Sequence, residues 1–428
     1  MCRSKSVLLL VLCALVQIPA TDVYASSLLD NVSNQSKILT LRNMVDKIQK
    51  SPALMTLTKL VEVQEGLTQQ AGVLPNPEIA FEVDNFEGDN NFDGFNSAET
   101  TLTISQLVEL GGKWGARKEV ARQEKNATDL EYQMQLQDLY LEAYLSFYTV
   151  LAAQETLAQS EQLLILAEKG YRTVAERVEA GKVSPVHELR ASVELNMARN
   201  DLAMSKKQLK QSMQRLSSLW GDPTPDFEQV SGQFDELSDP PDLKSVEATF
   251  ASTPDVKKWE MNLVGKRAGL ELEKSNSIPD ITLTFGIREF RETDEEAYVA
   301  GVEFPLPLFD RNQGGRKAAR SELSRAFSQR DKEVSRLSSE MRSAYQELVA
   351  AYDQARMIKQ EIIPAAEQAN EAAQIGYQEG KFDFLEALDA QRTLFEVKAQ
   401  YIEAFNAYHE ARLSVLHLTG QMGPDSKI

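Results

Sequence analysis

The chain has 428 residues, with 46 Lys and Arg against 64 Asp and Glu, a formal net charge of −18. That balance speaks against nucleic acid and anionic membrane surfaces as partners, and suits either a plain acidic exterior or a surface or lumen that tolerates cations. Both cysteines, Cys2 and Cys13, lie in the first 25 residues, so disulfides, thiolate metal sites and cysteine nucleophiles are excluded downstream.

Residues 1–25 read as a secretory signal: Arg3 and Lys5, a mostly apolar run from Val7 to Ile18, then Val23-Tyr24-Ala25 as a cleavage site before Ser26. The apolar run is too short to span a bilayer. Leu12 stands where a lipoprotein signal wants Gly, Ala or Ser, which weighs against lipidation at Cys13. Removing this segment takes away Arg3, Lys5 and Asp22 and moves the net charge from −18 to −19. Export without disulfides suits a periplasmic or outer-membrane protein of a double-membraned bacterium. No later segment offers 18 consecutive apolar residues, so no transmembrane helix is expected.

Ser36 to Gly72 reads as helix, interrupted near Ser51-Pro52, and Leu74-Pro75-Asn76-Pro77 stops it. The period then changes. Ile79, Phe81 and Val83 alternate with polar residues, and after the loop from Asn85 to Ser97 so do Leu102 and Ile104. The second half repeats this with Ile281, Leu283, Phe285 and Ile287, then with Tyr298, Ala300, Val302 and Phe304. A period of two with one greasy and one polar side means strands that face two media, and their length suits a tilted bilayer crossing. Surface hairpins on a soluble core are the bland alternative; the signal and the long flanking helices outweigh it. Four strands cannot close a barrel of useful width, and lipid forbids open edges, so the strands must be shared between subunits. Three subunits would supply twelve.

Lys113 to Ala180 has no proline and, beyond Gly115, a single glycine at Gly170. Leu136, Tyr140, Ala143, Phe147 and Leu151 mark one helical face. At 1.5 Å per residue this helix is roughly 100 Å long, as in coiled coils or helical repeats rather than globular cores. Gly315 to Glu379 is its twin, interrupted only near its end at Pro364 and Gly376, and the glycines of Gly111-Gly112 and Gly314-Gly315 are expected to turn the strands into these helices. Gly181 and Gly380 end them, Ser184 and Asp383 cap the returning helices, and these run to Gly221 and Gly420. The returning helices cover only half of their partners, so the pre-strand helices should stack end to end with them.

Constant offsets make this an internal repeat. Arg117-Lys118 and Arg316-Lys317, Gly181-Lys182 and Gly380-Lys381, and Gly221 and Gly420 are all 199 apart; Pro52 and Pro254, and Pro77 and Pro279, are 202 apart. The expected organisation is a signal over 1–25, a first repeat over 26–221, an equatorial linker over 222–252, a second repeat over 253–420 and a tail over 421–428. The linker, with Pro223, Pro225, Pro240 and Pro241, is expected to be an irregular girdle. The fold class is mainly α with membrane β: long antiparallel helical hairpins plus four strands per protomer.

Leu74-Pro75-Asn76-Pro77-Glu78-Ile79, the run from Gln106 to Lys113, Pro305-Leu306-Pro307-Leu308-Phe309 and Leu388-Asp389-Ala390-Gln391-Arg392 resemble signatures of the TolC family of outer-membrane efflux channels, over nearly all of the mature chain. The Asn-Pro-Glu and Leu-Gly-Gly-Lys elements look most like the branch serving heavy-metal cation pumps. The resemblance implies a homotrimer in outer-membrane lipid, a twelve-stranded barrel above a periplasmic α-barrel, and a periplasmic adaptor and an inner-membrane RND-type pump as partners. Drug-efflux and protein-secretion ducts share this scaffold, and a structural periplasmic coiled-coil protein is the rival from another class.

The hairpin tips, Gly181-Lys182-Val183 and Gly380-Lys381-Phe382, lie about 100 Å of helix from the strands, at the end that would face the adaptor. Glu386 and Asp389, three apart, share a helix face. By resemblance they align with acids that ring the closed periplasmic aperture, and Tyr377 aligns with an aromatic that helps hold it shut. The pattern departs from the family at His187, where an acid is common, and at Phe382, which replaces a polar or basic residue. Catalysis, cofactors and resident metals are not expected. His187, His409 and His417 lie in the returning helices without a hydrolase or metalloprotease motif, and the eight-position spacing of His409 and His417 turns them about 80° apart. Met197 and Met204 share a face that suits interhelical packing or, less simply, soft-metal ligation.

Overall fold

The computed structural model describes residues 37–92 and 94–426. The signal expected over residues 1–25 lies outside the described residues. In chain order the elements are β1 (Ile38–Thr40), α1 (Leu41–Ile48), α2 (Pro52–Ala71), β2 (Glu78–Asp84), β3 (Glu99–Val108), α3 (Lys113–Glu179) and α4 (Pro185–Ser218). They continue with β4 (Gln229–Ser231), α5 (Leu243–Phe250), α6 (Pro254–Ser275), β5 (Ile281–Phe290), β6 (Glu295–Glu303), α7 (Gln313–Met357), α8 (Ile363–Gln378) and α9 (Phe384–Leu418).

The unbroken 67-residue α3 is the longest element, and every other helix pair is arranged along it or its twin. Its half nearest the strands packs against α2 and α6, and its far half against α4. The expected end-to-end stacking is present in both repeats. A Cβ added to Gly221, just past α4, would come within 3.2 Å of Pro52 at the start of α2, and one at Gly420, just past α9, within 3.5 Å of Pro254 at the start of α6. Both glycines have positive φ, +84° and +68°, which lets the chain leave one helix while the next begins in line with it. Ser51 accepts a hydrogen bond from the Leu54 amide to start α2.

Two expectations are corrected, and one is made concrete. The interruption of the twin at Pro364 takes the form of a π-turn: α7 ends at Met357, the π-turn follows over Ile358–Ile362, and α8 starts with Pro364 in its first turn. Pro364 has no N–H to give and its ring would crowd the preceding turn, so the ladder widens and Ile363 donates five residues back to Ile358. In the second repeat the turn into the long helix is made by Asn312, at φ +54°, and Gly314 and Gly315 are already helical. Gly315 is needed for space: a Cβ there would meet Asn312 Oδ1, whose amide in turn donates to the Glu273 carbonyl at 2.9 Å. The stretch from 222 to 252 is not wholly irregular, because β4 pairs in parallel with β1 and α5 forms a short helix.

That stretch packs the main core, at mid-height of the long helices. Phe227, Val230, Phe234 and Phe250 join Phe147 and Leu151 of α3, Met341 and Leu348 of α7, and Phe405 and Tyr408 of α9. Apolar side chains fix its position and side-chain amides and hydroxyls its register. Gln154 both accepts from the Val230 amide at 2.7 Å and donates to its carbonyl at 3.1 Å, and the Tyr408 hydroxyl does the same for Ser238. His409 lies beneath it, stacked on Tyr148 with centroids 4.0 Å apart and bonded through Nε2 to the Phe234 carbonyl at 2.7 Å.

Burial pushes the His409 pKa down from 6.5 to about 4, with nearby Arg412 adding to the effect and the Phe234 carbonyl opposing it. The folded state therefore prefers the neutral ring. Stability is whole above pH 6.5 and falls as pH drops towards 4, by roughly 3 kcal/mol, because the unfolded chain takes up a proton that the folded chain refuses. Thermal unfolding between pH 7 and 4 is expected to show a decline in the parent that is clearly shallower in His409→Gln.

Candidate functional site

The sheet and the hairpin tips carry the structural marks of function. The sheet has the antiparallel order β2-β3-β5-β6. Its register places Phe81, Leu102, Ile287 and Tyr298 in one row and Ile79, Ile104, Phe285 and Ala300 in the next. All the large residues of these two rows are exposed, Tyr298 at 92%. The opposite face is polar: Glu82, Thr101 and Arg288 lie in register, Arg288 donates to Thr101 at 2.9 Å and pairs with Glu99 at 3.0 Å, and Ser105 meets Thr284 at 2.9 Å. Gly286 sits where β5 crosses β3, and a Cβ there would approach the Leu102 carbonyl to 2.4 Å, so only glycine fits without moving the ladder. Strands β2 and β6 each leave one edge unpaired among the described residues.

About 100 Å of helix away, each hairpin turns on a glycine. Gly181 has φ +68°, its amide donates to the Val178 carbonyl, and the Lys182 amide donates to that of Arg177 at 2.8 Å, which closes the end of α3. Gly380, at φ +75°, does the same for α8, with the Lys381 amide reaching Gly376 at 2.8 Å. A Cβ at either glycine would meet nothing within 4 Å, so their surroundings are open. Ser184 and Asp383 cap the helices that follow. Lys182 and Lys381 are exposed, Val183 is half-buried, and the Phe382 ring lies on Gly376, where a Cβ would clash with it.

Tyr377 is buried. The Arg177 guanidinium from α3 lies 4.2 Å from its ring centroid, and Phe384 packs on it at 5.8 Å with His187 edge-on behind at 6.2 Å. This cluster ties the two hairpins together at their tips. Sequence reasoning found Tyr377 and missed Arg177, whose contact with it joins helices some 200 residues apart, and Phe384, which meets it across the tight turn of its own hairpin; neither contact leaves a helical or strand period. Between the hairpins lies a cleft of about 450 Å³ lined by Tyr171, Met197, Tyr377, Phe384 and Phe395. Glu386 and Asp389 are both exposed at the start of α9. Glu386 has a further duty: its carboxylate accepts from the Asp383 amide at 3.0 Å and completes a capping box.

The remaining candidates separate. His409 belongs to the core, and His417 bonds to Asp138 at 2.7 Å. Met197 and Met204 are exposed rather than packed inside the protomer, in a stripe with Val186, Leu189 and Val193. Among the described residues no group of three His, Cys, Asp or Glu could hold a metal ion, and no helix is long and apolar enough to cross a membrane.

The sequence model described as outer membrane efflux protein matches residues 45–222 and again residues 246–421, once per repeat. The cobalt-zinc-cadmium resistance protein CzcC of Cupriavidus metallidurans is 31% identical over 368 residues, covering 86% of each chain. The nickel-cobalt-cadmium resistance protein NccC of Alcaligenes xylosoxydans is 26% identical over 300 residues, 70% of this chain and 68% of that one. Among solved structures the fold is similar to the Campylobacter jejuni CmeC outer membrane channel, with a TM-score of 0.75 at 14% identity over 93% of this chain and 88% of that one.

Proposed function

Because the chain belongs to the outer membrane efflux protein family, we propose that it is the outer-membrane duct of a heavy-metal cation efflux machine, a homotrimer joined through a periplasmic adaptor to an inner-membrane RND-type pump. The chain is a component of an outer-membrane efflux channel, and proteins of this family conduct rather than catalyse. The observation that carries the reading is the sheet: one exposed apolar face, one polar face and two unpaired edges. In hydrocarbon each unpaired backbone group costs several kcal/mol, so β6 of one protomer must pair with β2 of the next until the ring closes. Three copies give a barrel wide enough for a water-filled lumen lined by the Thr101 and Arg288 side. The division into repeats 26–221 and 253–420 around linker 222–252, with tail 421–428, is supported by the two separate family matches.

The choice of metal cations over drugs or secreted proteins rests on similarity to chains named for cobalt-zinc-cadmium and nickel-cobalt-cadmium resistance. Deletion in the native host should sensitise cells to zinc, cobalt and cadmium and leave tolerance of dyes and detergents unchanged, with the plasmid-borne chain restoring resistance. Unchanged metal tolerance together with new drug sensitivity would replace this reading by a drug-efflux duct.

The gate belongs to the same reading. Three copies of Glu386 and Asp389 would set six carboxylates around a narrow aperture, with Tyr377 and Arg177 holding each pair of hairpins closed. Fields focus in such a constriction, so multivalent cations should bind there. In planar bilayers a trivalent cation added on the helical side is expected to block the parent strongly. Block should weaken greatly in Glu386→Gln/Asp389→Asn, and unchanged block would move the acidic ring elsewhere. Glu386→Gln keeps an oxygen for the capping box, so the loss reports charge rather than a frayed helix.

A further inference from the structure

The chain's overall acidity argues against anionic membrane surfaces, but its charge is unevenly placed. The first turns of α3 and α7 hold no acid. A helix start is the positive end of the macrodipole, so cations gathered there are disfavoured unless something anionic compensates them. Lys113 and Arg117 have such compensation, pairing with Asp280 at 2.7 Å and with Glu109. Lys118, Arg316, Lys317 and Arg320 are exposed and form no ion pair among the described residues. The contrast with the next turns is sharp: Arg122 pairs with Glu119, Lys125 with Glu65, and Lys266 and Arg325 with Glu322. Exposed cations without an ion pair among the described residues also occur on α4, at Lys206, Lys207 and Lys210, but at the helical end of the sheet they gather at these two helix starts, where Lys118 and Lys317 hold equivalent positions in the two repeats.

That band adjoins a second feature. Immediately before α7, Leu306, Leu308 and Phe309 are exposed, Phe309 at 91%, and Trp114 is exposed at the start of α3 with the Lys118 ammonium 5.4 Å from its ring. Apolar and aromatic side chains followed at once by unpaired cations match, in order, an acyl boundary and a phosphate layer. The far end of the sheet has the opposite sign, with Asp84, Glu87, Asp89, Glu292 and Asp294 in or beside its two loops.

We propose that the first turns of α3 and α7 form a cationic collar that binds the anionic head groups of phospholipids in the leaflet at the helical end of the barrel. Trp114 and Phe309 sit in the acyl boundary above it, and Lys118, Arg316, Lys317 and Arg320 take the phosphates. The inference rests on the membrane reading of the sheet. It adds that the barrel's depth and orientation are set by this leaflet's charge.

The test uses the full chain reconstituted in bilayers and the quenching of Trp114 by brominated lipid. Trp220 and Trp259 pack against the mid-height core, away from lipid. Brominated phosphatidylglycerol is expected to show a relative binding constant about fivefold or more above brominated phosphatidylcholine at low salt, falling towards one at high salt. Lys118→Gln/Arg316→Gln/Lys317→Gln/Arg320→Gln should bring the ratio within about twofold of one with the β signal unchanged, and Lys118→Arg/Lys317→Arg should keep it high. Equal quenching by the two lipids in the parent, or a preference that survives neutralisation or high salt, overturns the collar while leaving the barrel intact. Absence of Trp114 quenching by either lipid in a protein that inserts turns the collar towards the lumen or a neighbouring protomer and also overturns it. Failure to insert at all would instead strike at the membrane reading of the sheet.

Discussion

Leu102→Arg combined with Phe285→Arg is expected to abolish trimers in the outer-membrane fraction. Both side chains lie on the exposed apolar face of the sheet, in adjacent rows of the ladder. Near the bilayer midplane each arginine costs about 2–4 kcal/mol, and together they rival the roughly 5–15 kcal/mol that holds a folded protein together. Glu82→Arg, on the polar face of the same sheet, should be tolerated, because that side chain meets water in the lumen. Heat-modifiable trimers and membrane fractionation read both outcomes. Normal trimers in the double variant would mean that this face does not meet lipid.

Gly181→Asp and Gly380→Asp are expected to leave trimers in the membrane and to remove both adaptor crosslinking and metal resistance, down to the level of the deletion strain. A side chain at φ +68° or +75° costs about 1–2 kcal/mol in strain, less for Asp than for most residues, and there is no atom for its Cβ to strike. The fold should therefore survive. What changes is the surface: an added carboxylate at the tip of each hairpin, beside Lys182 or Lys381, in the region proposed to face the periplasmic adaptor. Full resistance with either variant would remove the tips from the docking surface. Loss of trimers would show that the glycines matter for folding instead.

These two predictions draw on different kinds of information, and the difference follows from the physics. Everything repeated or periodic was legible in the residues. Alternation at Ile79–Val83 and Ile281–Ile287 pointed to strands with one apolar and one polar face, and a 67-residue stretch without proline pointed to a very long helix. The constant offset between Gly181 and Gly380 exposed the duplication, and the strand count of four per chain is what motivates the proposal that copies share a barrel. Even the stacking of returning and pre-strand helices followed from counting residues, since lengths add along an axis.

Only the tertiary structure decided what depends on contacts between distant segments. Arg177 on Tyr377, His187 behind Phe384 and Gln154 gripping Val230 join helices or linkers far apart in the chain, and no local period encodes them. The linker's prolines and acids suggested irregular chain, yet burial of Phe227, Phe234 and Phe250 against the long helices gave it a strand and a helix. The same holds for charge. Net charge is a sum and carries no position, so the acidic total concealed a band of unpaired cations at two helix starts, which appears only once their neighbours in space are known.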